Sequence, residues 1–293
     1  MTSIPIVIFH IGNQPYFQKC VSINARNNQV YIIGDDTNKH LFSSNKNVKH
    51  FHINDFAKEE VNDFTNSFTN YSTNSANYEL NCFLRIFYLK QLLLLTNIPK
   101  AFHVDSDCII LDNINEICKN IPNEIAYSLQ SHSQKENPFH MVGCIHNGLL
   151  NVDFCNTFIQ LCFDIYKNKT KFHLIEPKIN WHKSKGINGG ICDMTIYYLL
   201  YSEGLLNNVT DLNDILVVKG EKCTFDHQLI GTYGFMGENT YALQNSIKMI
   251  AKSGSKYYFK TVNGDLIRVL SLHFQGRTKP ILENIDESTF FNL

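Results

Sequence analysis

Ala101-Phe102-His103-Val104-Asp105-Ser106-Asp107-Cys108-Ile109-Ile110-Leu111 sets two carboxylates one residue apart between two short apolar runs. The first run, Ala101 to Val104, reads as a buried strand: it is brief, apolar and follows a helix pattern that a proline ends. The acids therefore fall where a strand stops and the backbone turns into open space. Carboxylate oxygens suit hard divalent cations such as Mg²⁺ or Mn²⁺, which commonly keep coordination positions free for substrate phosphates. Surface turns are also rich in Asp, so the pair acquires meaning only from its flanks.

Upstream, Leu80, Phe83, Leu84, Phe87, Tyr88, Leu92 and Leu95 recur at helical spacing, with Arg85 and Lys90 at the two edges of the apolar stripe, and the pattern ends near Asn97-Ile98-Pro99. Further back, Ile4 to His10 and Val30 to Ile33 read as buried strands, separated by a helical pattern over Tyr16 to Ala25 and broken at Gly12-Asn13 and Gly34-Asp35. Strand, helix, strand with short connections predicts a parallel α/β sheet. Ligands of such sheets gather beyond the carboxyl ends of the strands. Gly12 and Asp35 are thus expected on the same edge as Asp105, Ser106 and Asp107. No Gly-x-Gly-x-x-Gly follows the first strand, which argues against a nicotinamide or flavin fingerprint.

Downstream, the pattern predicts a helical turn over Asn113 to Ile117, a strand over Ile125 to Leu129 and a loop over Ser131 to Pro138. Met141 to Ile145 and Leu149 to Val152 are expected to pair as a hairpin around Asn147-Gly148, before a helix over Phe154 to Tyr166. Phe64 to Asn77 and Pro177 to Gly190 read as irregular loops, the second carrying Trp181, and Cys192 to Tyr201 as a helix with Asp193 in its first turn. Tyr257 to Val262 and Leu266 to Phe274 flank Asn263-Gly264, a two-residue hairpin signal. The second of these strands delivers His273-Phe274-Gln275-Gly276-Arg277-Thr278-Lys279-Pro280 at a rigid exit. There His273 is a candidate third metal ligand, Gly276 lets backbone approach a ligand, and Lys279 can set a charge on a phosphate. Taken singly, each also fits a core-edge histidine, a turn glycine and a solvated lysine.

The 293 residues are enough for one large domain, and with no repeat, linker or composition break the whole of 1–293 is expected to be one. A net charge of −1 provides no basic field for nucleic acid. Nine cysteines without any Cys-x-x-Cys pair fit reduced thiols in a cytoplasmic core. The start Met1-Thr2-Ser3-Ile4-Pro5 lacks signal-peptide character, and the longest apolar run, Ile196 to Tyr201, is too short to span a bilayer.

His273-x-x-Gly276-x-x-Lys279-Pro280 resembles the His-x-x-Gly-x-x-Lys-Pro motif of the glycogenin and lipopolysaccharide galactosyltransferase family, retaining glycosyltransferases of GT-A fold. Phe83 to Phe87 and Ala101 to Leu111 are similar to that family's helix, strand and metal-binding Asp-x-Asp. The resemblance implies a GT-A type α/β fold: a Rossmann-like, mixed but mostly parallel sheet flanked by helices, with a small antiparallel hairpin near the C-terminus. It implies Asp105, Asp107 and His273 as ligands of Mn²⁺ or Mg²⁺, and Lys279 and the Gly276 backbone as diphosphate contacts. Arg85 would be a basic group near the nucleotide, and Asn147 and Asp193 would lie beside the sugar. Gly12, Asp35 and Ser106 complete the expected donor-binding set. Asn147 also suits a hairpin turn, Asp193 a helix start, and Trp181 either sugar stacking or loop anchoring. The opening Phe9-His10-Ile11-Gly12-Asn13 departs from the family's usual start, as does Ile281 after Pro280. The implied reaction moves a hexose from a UDP-linked donor to a hydroxyl of a glycan, lipid-linked or protein acceptor. A haloacid-dehalogenase-type phosphatase and a non-catalytic sugar-nucleotide-binding relative are the rival readings.

Overall fold

The acidic turn leaves a mostly parallel sheet, and the elements before and after it fix where it points. The structure is a computed structural model that describes residues 3–129, 137–231 and 240–285. In chain order the first part comprises β1 (Ile6–Phe9), α1 (Pro15–Asn24), β2 (Val30–Gly34), β3 (Val48–His52), α2 (Glu59–Ser67), α3 (Ala76–Thr96), β4 (Lys100–Val104) and β5 (Cys108–Ile110). Then follow α4 (Ile114–Cys118), β6 (Ile125–Leu129), β7 (Gly143–Asn151), α5 (Val152–Tyr166), α6 (Glu176–Lys185), α7 (Asp193–Ser202) and β8 (Val209–Asp211). The large sheet has the order β3-β2-β1-β4-β7-β6-β8, parallel throughout except that β7 runs against both neighbours.

α3 forms for legible reasons. Ser75 caps its N-terminus by accepting from the Tyr78 amide, a contact worth about 1 kcal/mol. Asn97 ends it in the left-handed region at φ 53°, where Asn is tolerated. Its apolar stripe packs with α2, α5 and α7 on one face of the sheet, where Phe64, Phe83, Phe87, Phe158 and Tyr166 are all buried. Each such ring contributes roughly 2–3 kcal/mol by leaving water.

The other face is closed by α1, α4 and a second sheet, with Phe102, Ile109, Phe225, Leu270 and Leu272 between them. That sheet is built from β9 (Leu216–Val218), β10 (Glu221–Phe225), β13 (Ile250–Ser253), β14 (Lys256–Lys260) and β15 (Leu266–His273), beside a two-strand ladder of β11 (Leu243–Gln244) and β12 (Ile247–Lys248). β14 and β15 are the expected antiparallel hairpin across Asn263-Gly264. β5 pairs antiparallel with β15 in the register Cys108↔His273, Leu272↔Ile109, Ser271↔Ile110. This register carries a residue near the C-terminus to the acidic turn.

Several local expectations need correction. Asn147-Gly148 is not a hairpin turn: β7 runs unbroken through it, with Asn147 opposite Val104 and Gly148 opposite His103. The strand is buried on both faces, and its pairing with β6 shifts register here, from Tyr127↔Gly148 to Ser128↔Cys144, which leaves Ile145, His146 and Asn147 of β7 without partners in β6. Pro177 to Gly190 is largely α6, because proline is compatible with a helix's first turn; only Gly186 onward, beginning at φ +61°, is loop. α2 also reaches Ser67, inside the stretch expected to be irregular. β3 is an unanticipated edge strand. Of the loop expected over Ser131 to Pro138, residues 131–136 lie outside the described residues. The described helices include none long and apolar enough to cross a membrane, and all nine cysteines are unpaired.

Candidate active site

β4 ends at Val104, and a tight turn closed by the Cys108 amide donating to the Asp105 carbonyl (2.9 Å) leaves Asp105 partly exposed and Asp107 buried. β15 then brings His273 alongside, tied by the Phe274 amide donating to the Asp107 carbonyl at 2.9 Å. One ligating atom each from Asp105, Asp107 and His273 fit within 4.8 Å of one another. His273 Nε2 lies 3.2 Å from Asp107 Oδ1 and 4.0 Å from Asp105 Oδ2. Its Nδ1 donates to the His227 carbonyl at 2.6 Å, which turns Nε2 toward the acids, the arrangement found behind most metal-binding imidazoles. Burial opposes a charge on His273, but Asp107 and Asp105 outweigh it and lift its pKa to about 9. Two carboxylates and an oriented imidazole fit a hard divalent cation that would take the place of that proton.

Lys279, the first residue of α8 (Lys279–Glu283), puts Nζ 3.2 Å from Asp107 Oδ2 and 4.5 Å from the Tyr16 ring. Gly276 has φ +60° and faces open space where a side chain would be, so its backbone is approachable. Ser106 is partly exposed between the two acids.

On the other side, α3 aims Arg85 at two carboxylates, with Nη1 2.7 Å from Asp105 Oδ1 and Nη2 2.5 Å from Asp193 Oδ2. Asp193, 3 % exposed, opens α7 as expected. Burial tends to raise the Asp105 carboxyl, yet the Arg85 guanidinium holds it well below the usual carboxylate range. These residues line one wall of a cavity of about 400 Å³ together with His273, His227, Gln275, Glu79, Cys82 and Lys178. A larger space of about 620 Å³ lies behind α3 around the Lys90–Glu60 ion pair and holds none of these groups.

Asn147 lies elsewhere. It is fully buried between β4 and the end of β10, donating to the Asp226 carbonyl at 3.3 Å, and it does not line the cavity. Asp226 anchors a network the sequence did not reveal. Its Oδ2 accepts from the His273 amide (3.0 Å), its Oδ1 from Lys248 Nζ (2.6 Å), and its own amide donates to Ser271 Oγ (3.1 Å). His146 stacks on the His273 ring at 4.7 Å. The His273 imidazole is thus held at both its ring and its backbone.

At the N-terminal edge the Gly12 amide donates to Asp35 Oδ2 at 3.1 Å, and Asn38 Nδ2 donates to the carbonyls of His10 and Gly12. Gly12 needs its left-handed φ of +103° for that turn. Gly12 and Asp35 therefore share a strand-end rim, apart from the cavity lining. His10 stacks on Phe17 at 4.0 Å, and burial lowers its pKa to about 4 despite its hydrogen bond with Gln14. An unfolded His10 takes up its proton near pH 6.5, the folded one only near 4. Its stabilisation is complete above the higher value and is lost as pH falls between them. The expected loss is on the order of 3 kcal/mol. Urea unfolding at neutral and mildly acidic pH should show His10→Phe losing less stability on acidification than the wild type; an equal loss would assign the effect to other groups.

Glu79, Cys82 and Lys178 escaped sequence reasoning. Glu79, Cys82 and Arg85 follow one another at three-residue spacing on α3, which puts them on one side of the apolar stripe, and this line was the available signal. Lys178 is buried and donates to the Met141 carbonyl (2.9 Å) and Thr195 Oγ1 (3.0 Å); it sits in the segment misread as loop.

No family model and no curated protein matches the chain. Among solved structures, the galactosyltransferase LgtC in complex with donor and acceptor sugar analogues is 10% identical over 99% of this chain and 100% of its own, with a TM-score of 0.49. An active-site mutant of LgtC gives 11% over the same shares and 0.49. Mouse xyloside xylosyltransferase 1 is 15% identical over 72% of this chain and 86% of its own, with a TM-score of 0.45.

Proposed function

We propose that the chain is a metal-dependent glycosyltransferase that moves a hexose from a UDP-linked donor to an acceptor hydroxyl with retention of configuration. The observation that carries this reading is the convergence of Asp105, Asp107 and His273, with Lys279 on Asp107, where Asp105 and His273 meet a cavity in which Arg85 joins Asp105 to Asp193. Such a site is built for negative charge leaving on phosphate. The bond from the anomeric carbon to the diphosphate oxygen breaks, the acceptor oxygen bonds that carbon, and the acceptor's proton leaves with the diphosphate. A divalent cation at the three ligands would neutralise part of the departing charge. Lys279 and the Gly276 backbone hold the diphosphate, and Arg85 and Asp193 border the sugar. Preorganised charge of this kind is commonly the largest catalytic contribution. Asn147 acts from behind, through Asp226 and hence His273. The rim at Gly12 and Asp35 is the remaining room for the nucleoside. Nine unpaired cysteines suit a reducing, cytoplasmic setting.

A thermal-shift screen of nucleotide sugars with and without Mn²⁺ tests the reading, because a ligand that binds only the folded state raises its stability by mass action. At a hundredfold excess over Kd the gain is about 2.7 kcal/mol. The expected pattern is a UDP-sugar shift that requires Mn²⁺, followed by UDP release on adding acceptor. Release of inorganic phosphate from simple phosphate esters, with no such shift, would favour a phosphatase instead.

A further inference from the structure

β5 is three residues long, and the acidic turn hangs on it. Asp107 precedes it directly, and β15, which presents His273, pairs along one of its edges. In an antiparallel pair the backbone groups of alternate residues face the partner strand. Asp107 and Leu111 face β15: the Asp107 carbonyl accepts from the Phe274 amide and the Leu111 amide donates to the Leu270 carbonyl, each at 2.9 Å. Cys108 and Ile110 therefore face away, and among the described residues no second strand pairs with β5 on that side.

α1 takes the place of that strand. Asn24, its last residue, is fully buried; Nδ2 donates to the Cys108 carbonyl (3.0 Å) and Oδ1 accepts from the Ile110 amide (2.7 Å). One carboxamide thus does for these two groups what the peptide group of a neighbouring strand would do. A turn earlier on α1, the Cys20 thiol reaches the same Cys108 carbonyl at 3.1 Å. Asn28, four residues after Asn24, repeats the pattern past the end of β5, donating to the Asp112 carbonyl (3.1 Å) and accepting from the Ile114 amide (2.7 Å). Tyr16 of the same helix lies 4.5 Å from Lys279 Nζ, so α1 touches both the strand behind the acids and the lysine in front of them.

We infer that Asn24 is a positioning residue for the metal site: its carboxamide fixes the free edge of β5 and so sets Asp105 and Asp107 against His273. An amide bonded to two backbone groups two residues apart resists both sliding of β5 along β15 and tilting away from it. The three ligand atoms, within 4.8 Å of one another, tolerate little of either motion. Asn28 holds the chain leading into α4, where no ligand lies.

The inference rests on the metal reading, and its test needs no turnover. Mn²⁺ alone is titrated into the full chain and followed by electron paramagnetic resonance, beside urea unfolding of the same variants. Asn24→Ala and Asn28→Ala each leave a buried amide and a buried carbonyl without their partners, so both should unfold at lower urea than the wild type. Asn24→Ala should in addition bind Mn²⁺ at least about tenfold more weakly, the range for supports behind a metal ligand. Asn28→Ala should bind it as the wild type does. Cys20→Val, which keeps apolar bulk and removes the thiol donor, is the milder variant that decides the matter if Asn24→Ala does not fold; it should weaken Mn²⁺ by about threefold. Wild-type affinity in Asn24→Ala, or in Cys20→Val where that variant decides, overturns the inference. So does an equal loss in Asn28→Ala, which would trace the effect to general loosening of the fold. A wild-type chain with no affinity for Mn²⁺ would instead remove the metal reading, and this inference with it.

Discussion

His273→Ala is expected to weaken Mn²⁺ binding by at least about a hundredfold, the upper range seen when even an outer support of a metal site is lost. On the proposed transferase reading, transfer should fall by about a thousandfold or more, since the charge on the departing diphosphate would lose its main counterweight. The geometry explains the size. Asp107 meets His273 Nε2 and Lys279 Nζ, each at 3.2 Å, and Asp105 is drawn toward Arg85 at 2.7 Å, so without the imidazole neither carboxylate is free to compensate. Asp107→Asn should match it in metal affinity, with an added loss in donor binding because Lys279 no longer has its anchor. Titration of Mn²⁺ followed by electron paramagnetic resonance measures the first effect without substrate. Wild-type affinity in His273→Ala would remove this residue from the metal site.

The two halves of this site were legible to different degrees. Asp105 and Asp107 announce themselves, because a short apolar strand must stop somewhere and two acids one residue apart follow its end. His273 was legible because Asn263-Gly264 fixes a hairpin and the apolar run after it has one exit. What joins them is the Cys108↔His273 register of β5 with β15, a pairing between segments 165 positions apart in sequence that no local pattern encodes. The errors have a common cause. Pro177 and Asn147-Gly148 were read by local preference as loop and turn, yet burial overrode it: α6 closes the cavity wall with Lys178, and β7 is a strand packed on both faces. Polar residues that act from the interior are the hardest to read, since Asp226 and Lys248 carry no spacing that separates them from surface charges.

Asp226 and Lys248 provide the clearest case, and their substitution should have the largest effect on stability. The pair is buried, with side-chain exposures of 0% and 8%, and Lys248 Nζ is caged by the rings of Tyr241 and Phe259 at 5.1 and 5.0 Å. Removing one partner strands the other charge away from water, so Lys248→Met or Asp226→Asn should each cost about 3–5 kcal/mol in urea unfolding. The double variant Asp226→Leu with Lys248→Met strands no charge and should recover most of that loss, because a buried pair replaced by apolar side chains is often neutral. It still orphans the His273 amide, a penalty of about 1–3 kcal/mol. The double variant should therefore fold about 1–3 kcal/mol below the wild type, above either single variant, and bind Mn²⁺ more weakly, since the segment presenting His273 has lost its tether. Strictly additive losses in the double variant would mean the two charges do not act as a pair. Full recovery of both stability and Mn²⁺ affinity would mean that Asp226 serves the fold alone and leaves the positioning of His273 to the His227 carbonyl.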